Sequence, residues 1–263
     1  MDFETALNDS VAFTRETLLG RWTRWLALIL IGLPAALLPF AFDPKKIFTG
    51  TTVHWELIHW DQLAALFVVI FLVSFFESGY LVRIYRGGTA PAEFDRWGGM
   101  FVDGVKISVV WLIWILPALI LFLAALALAF GMIAGGFVSP DAGMGFLGLA
   151  IILILLALLA LLVAARLGTM GAIRFARTGS IMEGVNYREI LATIRRIGWL
   201  TYIVALIILI VLSIIFGIVT AFLSLIPYIG WVIQLCLIPI LTVFLARFIT
   251  RVYDAGAIPP QAV

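Results

Sequence analysis

Between Arg196 and Arg247 the chain carries no Asp, Glu, Lys or Arg, and a second uncharged run lies between Lys106 and Asp141. Bilayer hydrocarbon is about 30 Å thick and a helix rises about 1.5 Å per residue, so one crossing needs roughly 20 mostly apolar residues. The run from Ile197 to Ala246 is about twice that length. Within it, SLIPYIG with Pro227 and Gly230 marks a turn between two helices. A water-soluble monomer is excluded, because 64% of the 263 residues are hydrophobic and 12% charged, against about 25% charged in soluble domains.

Six spans are expected. The first runs from Trp25 to Phe42, and the second from Gln62 to about Val82 with Glu77 inside it. The third begins after Lys106, the fourth covers about Phe146 to Ala165, and the last two share the block from Ile197 to Ala246. The expected fold class is all-α: a polytopic membrane protein with residues 1–263 as one transmembrane domain and a short tail at 255–263. Residues 1–24 mix Asp2, Glu4, Asp9 and Glu16 with Arg15, Arg21 and Arg24, unlike the basic-then-apolar order of a cleaved signal peptide.

With the amino terminus in the cytoplasm, segments 1–24, about 83–106, about 166–196 and 247–263 lie inside. All seventeen Lys and Arg residues except Lys45 and Lys46 then fall in those segments, and this positive-inside bias places both termini in the cytoplasm. Net charge is +2, with its basic residues beside the spans rather than in a run that would bind nucleic acid. Cys236 is the single cysteine, so no disulfide or cysteine metal site forms within one chain. Trp22, Trp25, Trp55, Trp60, Trp97, Trp199 and Trp231 fall near span ends, as an aromatic belt requires.

One order recurs three times: a short charged segment, a pair of spans, then paired arginines. The charged segments are 3–21, 91–106 and 184–198, with the mixture expected of helices lying in the interface. The pairs are Arg83 with Arg86, Arg174 with Arg177, and Arg247 with Arg251, spaced so that both members share a helix side. Three units are therefore expected, 3–86, 91–177 and 183–252. Each holds two spans, so all enter the membrane the same way up. Such parallel repeats differ from the inverted repeats of many alternating-access transporters.

GYLVRIYRGG, FDRWGGMFVDGVK, WILPALIL, AIRFARTGSIMEGVNYREILATIRRIGWL, IPYIGW and LARFITRVYD occur in this order over about residues 75–254. Together they resemble an integral-membrane family found largely in archaea, the domain of unknown function 4013 (DUF4013) family. The resemblance implies a multi-helix membrane fold. It assigns no activity or ligand and carries over no catalytic residue.

Glu77 is the most informative single residue, because an ionisable group within a span is costly and generally pairs or lines a wet cavity. Arg166 sits at comparable depth on the fourth span. The two form either a polar pair lining a path, a structural clamp, or side chains that reach separately to the interface. The repeated arginines Arg83, Arg86, Arg174, Arg177, Arg247 and Arg251 would contact lipid headgroups or an acidic partner, or serve simply as topogenic charge. Ala160, Ala164, Gly168 and Ala172, and Ala127, Gly131 and Gly135, recur every four residues. Such stripes let helix backbones approach, within one chain or between subunits. Pro34, Pro39, Pro117 and Pro239 are expected to kink their spans.

His54, Glu56, His59 and Asp61 gather in TTVHWELIHWDQ, the weak candidates for a metal or acid–base site; their spacing matches no strong signature. A surface loop is the plainer reading, and no metal or cofactor is expected. Three functions remain open. A non-catalytic scaffold organising lipids or a partner comes first, with membrane lipids and a second copy or another membrane protein as partners. A channel or transporter lined by Glu77, Arg166 and Gln234 is second. An enzyme using the outer-face histidines is third.

Overall fold

The computed structural model describes residues 1–42, 47–49, 52–135, 140–226 and 229–256. Helix α1 spans Phe3–Thr14 and begins on Asp2, whose carboxylate accepts from the Glu4 amide at 3.0 Å. A π-helical turn follows at Arg15–Leu19. The remaining helices are α2 Trp22–Ala41, α3 Trp60–Tyr85, α4 Trp97–Gly135, α5 Pro140–Thr178, α6 Ile181–Gly184, α7 Tyr187–Ile197, α8 Trp199–Ser224 and α9 Gly230–Asp254. The class is all-helical, apart from a two-residue antiparallel pairing of Phe48–Thr49 with Thr52–Val53 in the α2–α3 loop.

Six of these helices are long and apolar enough to cross a membrane: α2, α3, α4, α5, α8 and α9. Their apolar windows are mostly unburied, from 6% buried in α8 to 39% in α9, as expected where lipid rather than water meets the surface. The helices run on through Pro34, Pro39, Pro117 and Pro239. Pro227 lies outside the described residues, between Ser224 and Gly230 where the turn was expected. Lys45, Lys46, Gly136 and the tail from 257 also lie outside them.

One expected element differs. The charged segment 91–106 is not a separate interfacial helix, because from Trp97 it continues without a break into span α4. Nothing between Trp97 and Lys106 stops a helix, and Gly98 and Gly99 only weaken one. By contrast, segment 184–198 does contain a separate amphipathic helix, α7. It is divided from α8 by Gly198 at φ +92°, a conformation that costs glycine little.

The chain divides into two compact units, one formed by residues up to Val105 and from Thr193 onward, the other by Lys106–Ala192. The divisions fall inside α4 and α7. In the first unit α1, the π-helical turn, α2, α3, the start of α4 and α9 share a core of Phe13, Leu18, Leu28, Tyr80, Ile84, Met100, Val243 and Ala246. In the second, α5 packs against the Lys106-to-Gly135 part of α4 and against α6 through small residues. A Cβ on Gly168 would lie 2.9 Å from the Trp111 ring, and one on Gly171 would lie 2.2 Å from the Gly184 oxygen.

Candidate functional site

The densest chemistry lies where the arginine-bearing span ends meet the charged segments. Arg247 sits on α9 with its side chain 3% exposed. Its Nε donates to Asp9 Oδ2 at 2.7 Å, its Nη1 to the Gly88 carbonyl at 2.8 Å, and its guanidinium carbon lies 4.4 Å from the centre of the Phe13 ring. Arg251, one turn on, donates to the same carboxylate through Nε at 2.7 Å and through Nη2. Asp9 thus binds two guanidinium groups. The hydrogen bonds from Arg251, then those from Arg247 and the two positive charges, outweigh desolvation and hold its carboxyl far below the usual carboxylate range.

The same chemistry recurs at the end of α3. Arg83 pairs with Asp95 and also donates to the Asp95 carbonyl at 2.6 Å and to the Glu93 carbonyl. Arg86 donates to Asp103 Oδ2 at 2.6 Å. Glu93 in turn receives Arg24 at 2.9 Å and Arg21 at 3.2 Å. In the second unit Arg174 holds Glu183, with Nε at 2.8 Å, and reaches Glu189 at 3.8 Å. These arginines are therefore held by carboxylates of the protein. Arg177 lies in the last turn of α5.

Glu77 faces a separate cavity of about 290 Å³, lined by Gly32, Ala35 and Ala36 of α2 and by Leu235, Pro239 and Thr242 of α9. Among the described residues no hydrogen bond or ion pair reaches its carboxyl group. Two further acceptors are implied by covalent structure. Pro39 and Pro239 have no N–H to offer the carbonyls four residues earlier, Ala35 and Leu235, and both of those residues line the cavity. Arg166 belongs to the second unit, half-buried on α5. Gln234 is used in the α8–α9 hairpin, where its Nε2 donates to the Thr220 carbonyl at 2.7 Å.

On the α2–α3 loop His54 Nδ1 lies 2.9 Å from Glu56 Oε1, and Trp55 stacks on Trp60. His59 precedes α3 and Asp61 lies in its first turn. Among the described residues no group of three or more His, Cys, Asp or Glu is placed to hold a metal ion. Of the small-residue stripes, Ala164, Gly168 and Ala172 are buried within the second unit and Ala160 half-buried, whereas Gly131 meets nothing within 4 Å. Gly135 ends α4.

Several contributing residues carry no mark in the sequence. Gly79 and Gly104 join α3 to α4 so closely that an added Cβ would lie 1.9 Å from the Met100 oxygen and 1.8 Å from that of Phe75. Arg24 is buried, with its Nη1 unpartnered among the described residues. Trp25 departs from the aromatic belt: its indole N–H donates inward to the Cys236 carbonyl at 2.8 Å. The aromatic pair Tyr80 and Phe94, stacked at 4.4 Å, fastens the segment after α3.

Six apolar helices joined through charged, mutually paired ends define a multi-pass helical membrane protein. Within that class the chain belongs to the family described as Protein of unknown function (DUF4013), which matches residues 62–225. No curated protein and no solved structure matches the chain.

Proposed function

We propose that this chain is a non-catalytic scaffold of an archaeal cell membrane, organising lipids or a partner subunit, with both termini cytoplasmic and three units of charged segment plus hairpin. One observation carries the reading. Arginines after each of the first two hairpins engage carboxylates of the stretch that follows in the chain, Arg83 and Arg86 with Asp95 and Asp103, and Arg174 with Glu183 and Glu189. The last pair, Arg247 and Arg251, returns to Asp9 in the first segment. The recurrence of this pairing within both units supports the threefold internal repeat and suits a structural framework. Ion pairs of this kind contribute specificity of arrangement more than net stability.

The cavity at Glu77 favours a second reading, a channel or transporter with a polar path at Glu77, since an intramembrane carboxyl facing open space suits a proton or cation. One experiment separates the two. In proteoliposomes, native protein and Glu77→Gln are expected to show the same background flux of protons and of monovalent cations. A flux present in the native protein and abolished by Glu77→Gln overturns the scaffold and establishes the second reading.

Orientation has its own test. In a Cys236→Ser background, Thr52→Cys is expected to react with a membrane-impermeant maleimide on intact cells, and Thr178→Cys only after permeabilisation. The reverse pattern overturns the cytoplasmic placement of the termini.

A further inference from the structure

An apolar cleft of the first unit lies beside α1, with a volume of about 540 Å³. One wall is a single helix face, Val11, Thr14, Arg15, Leu18 and Leu19, at the spacing of three and four that aligns side chains along a helix. The other walls are apolar, Leu212 to Val219 of α8 and Leu237 to Phe244 of α9. Immediately round α1, on the adjoining face, Asn8, Ala12, Arg15, Glu16 and Gly20 line a hollow of mixed polar and apolar surface. The cleft and the hollow share Val11, Arg15 and Leu19, so apolar and polar surfaces meet along one edge.

Arg15 lacks the carboxylate partner that most arginines of its unit have. Arg21, Arg24, Arg83, Arg86, Arg247 and Arg251 of the same unit each meet a carboxylate. Among the described residues no hydrogen bond or ion pair reaches the side chain of Arg15, nor that of Glu16 beside it. Both are exposed, and they sit in the π-helical turn, a geometry that is rare and concentrated at functional positions. An unpaired cation thus stands at the rim of an apolar cleft, and the next residue in the chain is an unpaired anion in the adjoining hollow.

We propose that this cleft binds a zwitterionic aminophospholipid of the surrounding bilayer, with one hydrocarbon chain between α1, α8 and α9, its phosphodiester on Arg15 and its ammonium on Glu16. Guanidinium matches a phosphodiester through paired N–H donors, and a carboxylate matches a primary ammonium. An anionic headgroup lacking the amine would gain Arg15 but meet Glu16 as a like charge. A quaternary ammonium has no N–H to donate to Glu16. The charge pair therefore selects a headgroup, while the cleft accepts the chain. The inference deepens the lipid-organising part of the proposed scaffold and rests on it.

Native mass spectrometry of the full chain in detergent, supplied with phosphatidylethanolamine, phosphatidylglycerol or phosphatidylcholine of identical chains, tests it. One phosphatidylethanolamine per chain is expected to survive delipidation in preference to the other two. Arg15→Gln is expected to lower that retention about fivefold, the weight of one basic residue at a lipid surface. Glu16→Gln should remove the preference over phosphatidylglycerol, and Val219→Trp, which fills the cleft, should weaken all three. Arg21→Gln, exposed and paired with Glu93, is the control and should change nothing. Equal retention of the three lipids, or retention unaltered by Arg15→Gln, overturns the proposal, as does a dimer that covers the cleft. None of those outcomes touches the flux measurement on Glu77, so this site and the scaffold reading fail separately.

Discussion

Gly104→Leu is expected to leave little folded protein, with a loss of at least about 3 kcal/mol if any folds, at the upper end of overpacking costs. The cause is backbone against backbone. A Cβ at position 104 would stand 1.8 Å from the Phe75 carbonyl oxygen and 2.6 Å from its carbon, and neither belongs to a side chain that could rotate away. To admit it, α3 and the first turns of α4 would have to separate. That would open the Phe75–Phe101 ring contact at 5.4 Å and stretch the Arg86–Asp103 bond one residue away. Gly79→Leu should fail similarly, its Cβ meeting the Met100 oxygen at 1.9 Å. Gly217 and Gly131 meet nothing within 4 Å. Alanine at either should be neutral or stabilise by up to about 1 kcal/mol through helix propensity. Yield of monodisperse protein and thermal unfolding in detergent read all four; normal unfolding of Gly104→Leu would show that α3 and α4 do not touch there.

This contact also shows what was readable beforehand. The six crossings were legible because a charge-free run of that length has few alternatives, and Ala164, Gly168 and Ala172 were legible because they recur every four residues. Gly79 and Gly104 have no such rhythm. They lie among Glu77, Arg83, Asp103 and Lys106, where composition suggests an interface rather than a tight helix crossing. The same charges made segment 91–106 read as a separate surface helix. Local composition cannot distinguish a carboxylate facing water from one facing an arginine elsewhere in the chain, and Asp95 and Asp103 face Arg83 and Arg86.

Distance along the chain hid the rest of the site. Arg247 and Arg251 were recognisable as a repeated pair, but their partner lies in the first helix, and no periodicity links Asp9 to α9. Glu77 was recognisable as a costly group in a span. Its cavity depends on Gly32, Ala35 and Ala36 leaving room on α2, and on the placement of α9. Trp25 was read by type and position, and both misdirect, because its N–H is consumed inside the bundle by the Cys236 carbonyl.

Asp9→Asn is expected to destabilise the protein by about 2–3 kcal/mol, toward the lower end for a broken buried pair because Asp9 keeps some contact with water. Removing the charge leaves Arg247, 3% exposed, facing neutral groups alone, the remaining side-chain amide oxygen, the Gly88 carbonyl and the face of Phe13. Arg86→Ala gives the contrast: that arginine is 47% exposed, and losing its pair should cost about 0–1 kcal/mol. The Asp9 effect should also depend on pH in a defined direction. Arginine hydrogen bonds and charge depress its carboxyl in the folded state, while in the unfolded chain it titrates near about 4. Below that value the unfolded state binds the proton first, so the native chain loses stability as pH falls. The Asp9→Asn protein lacks that titration, and the gap between the two should narrow from neutral pH down through about pH 4 and below. Thermal unfolding of both across that range reads the gap. A gap that stays constant would place the stabilisation in shape rather than in charge.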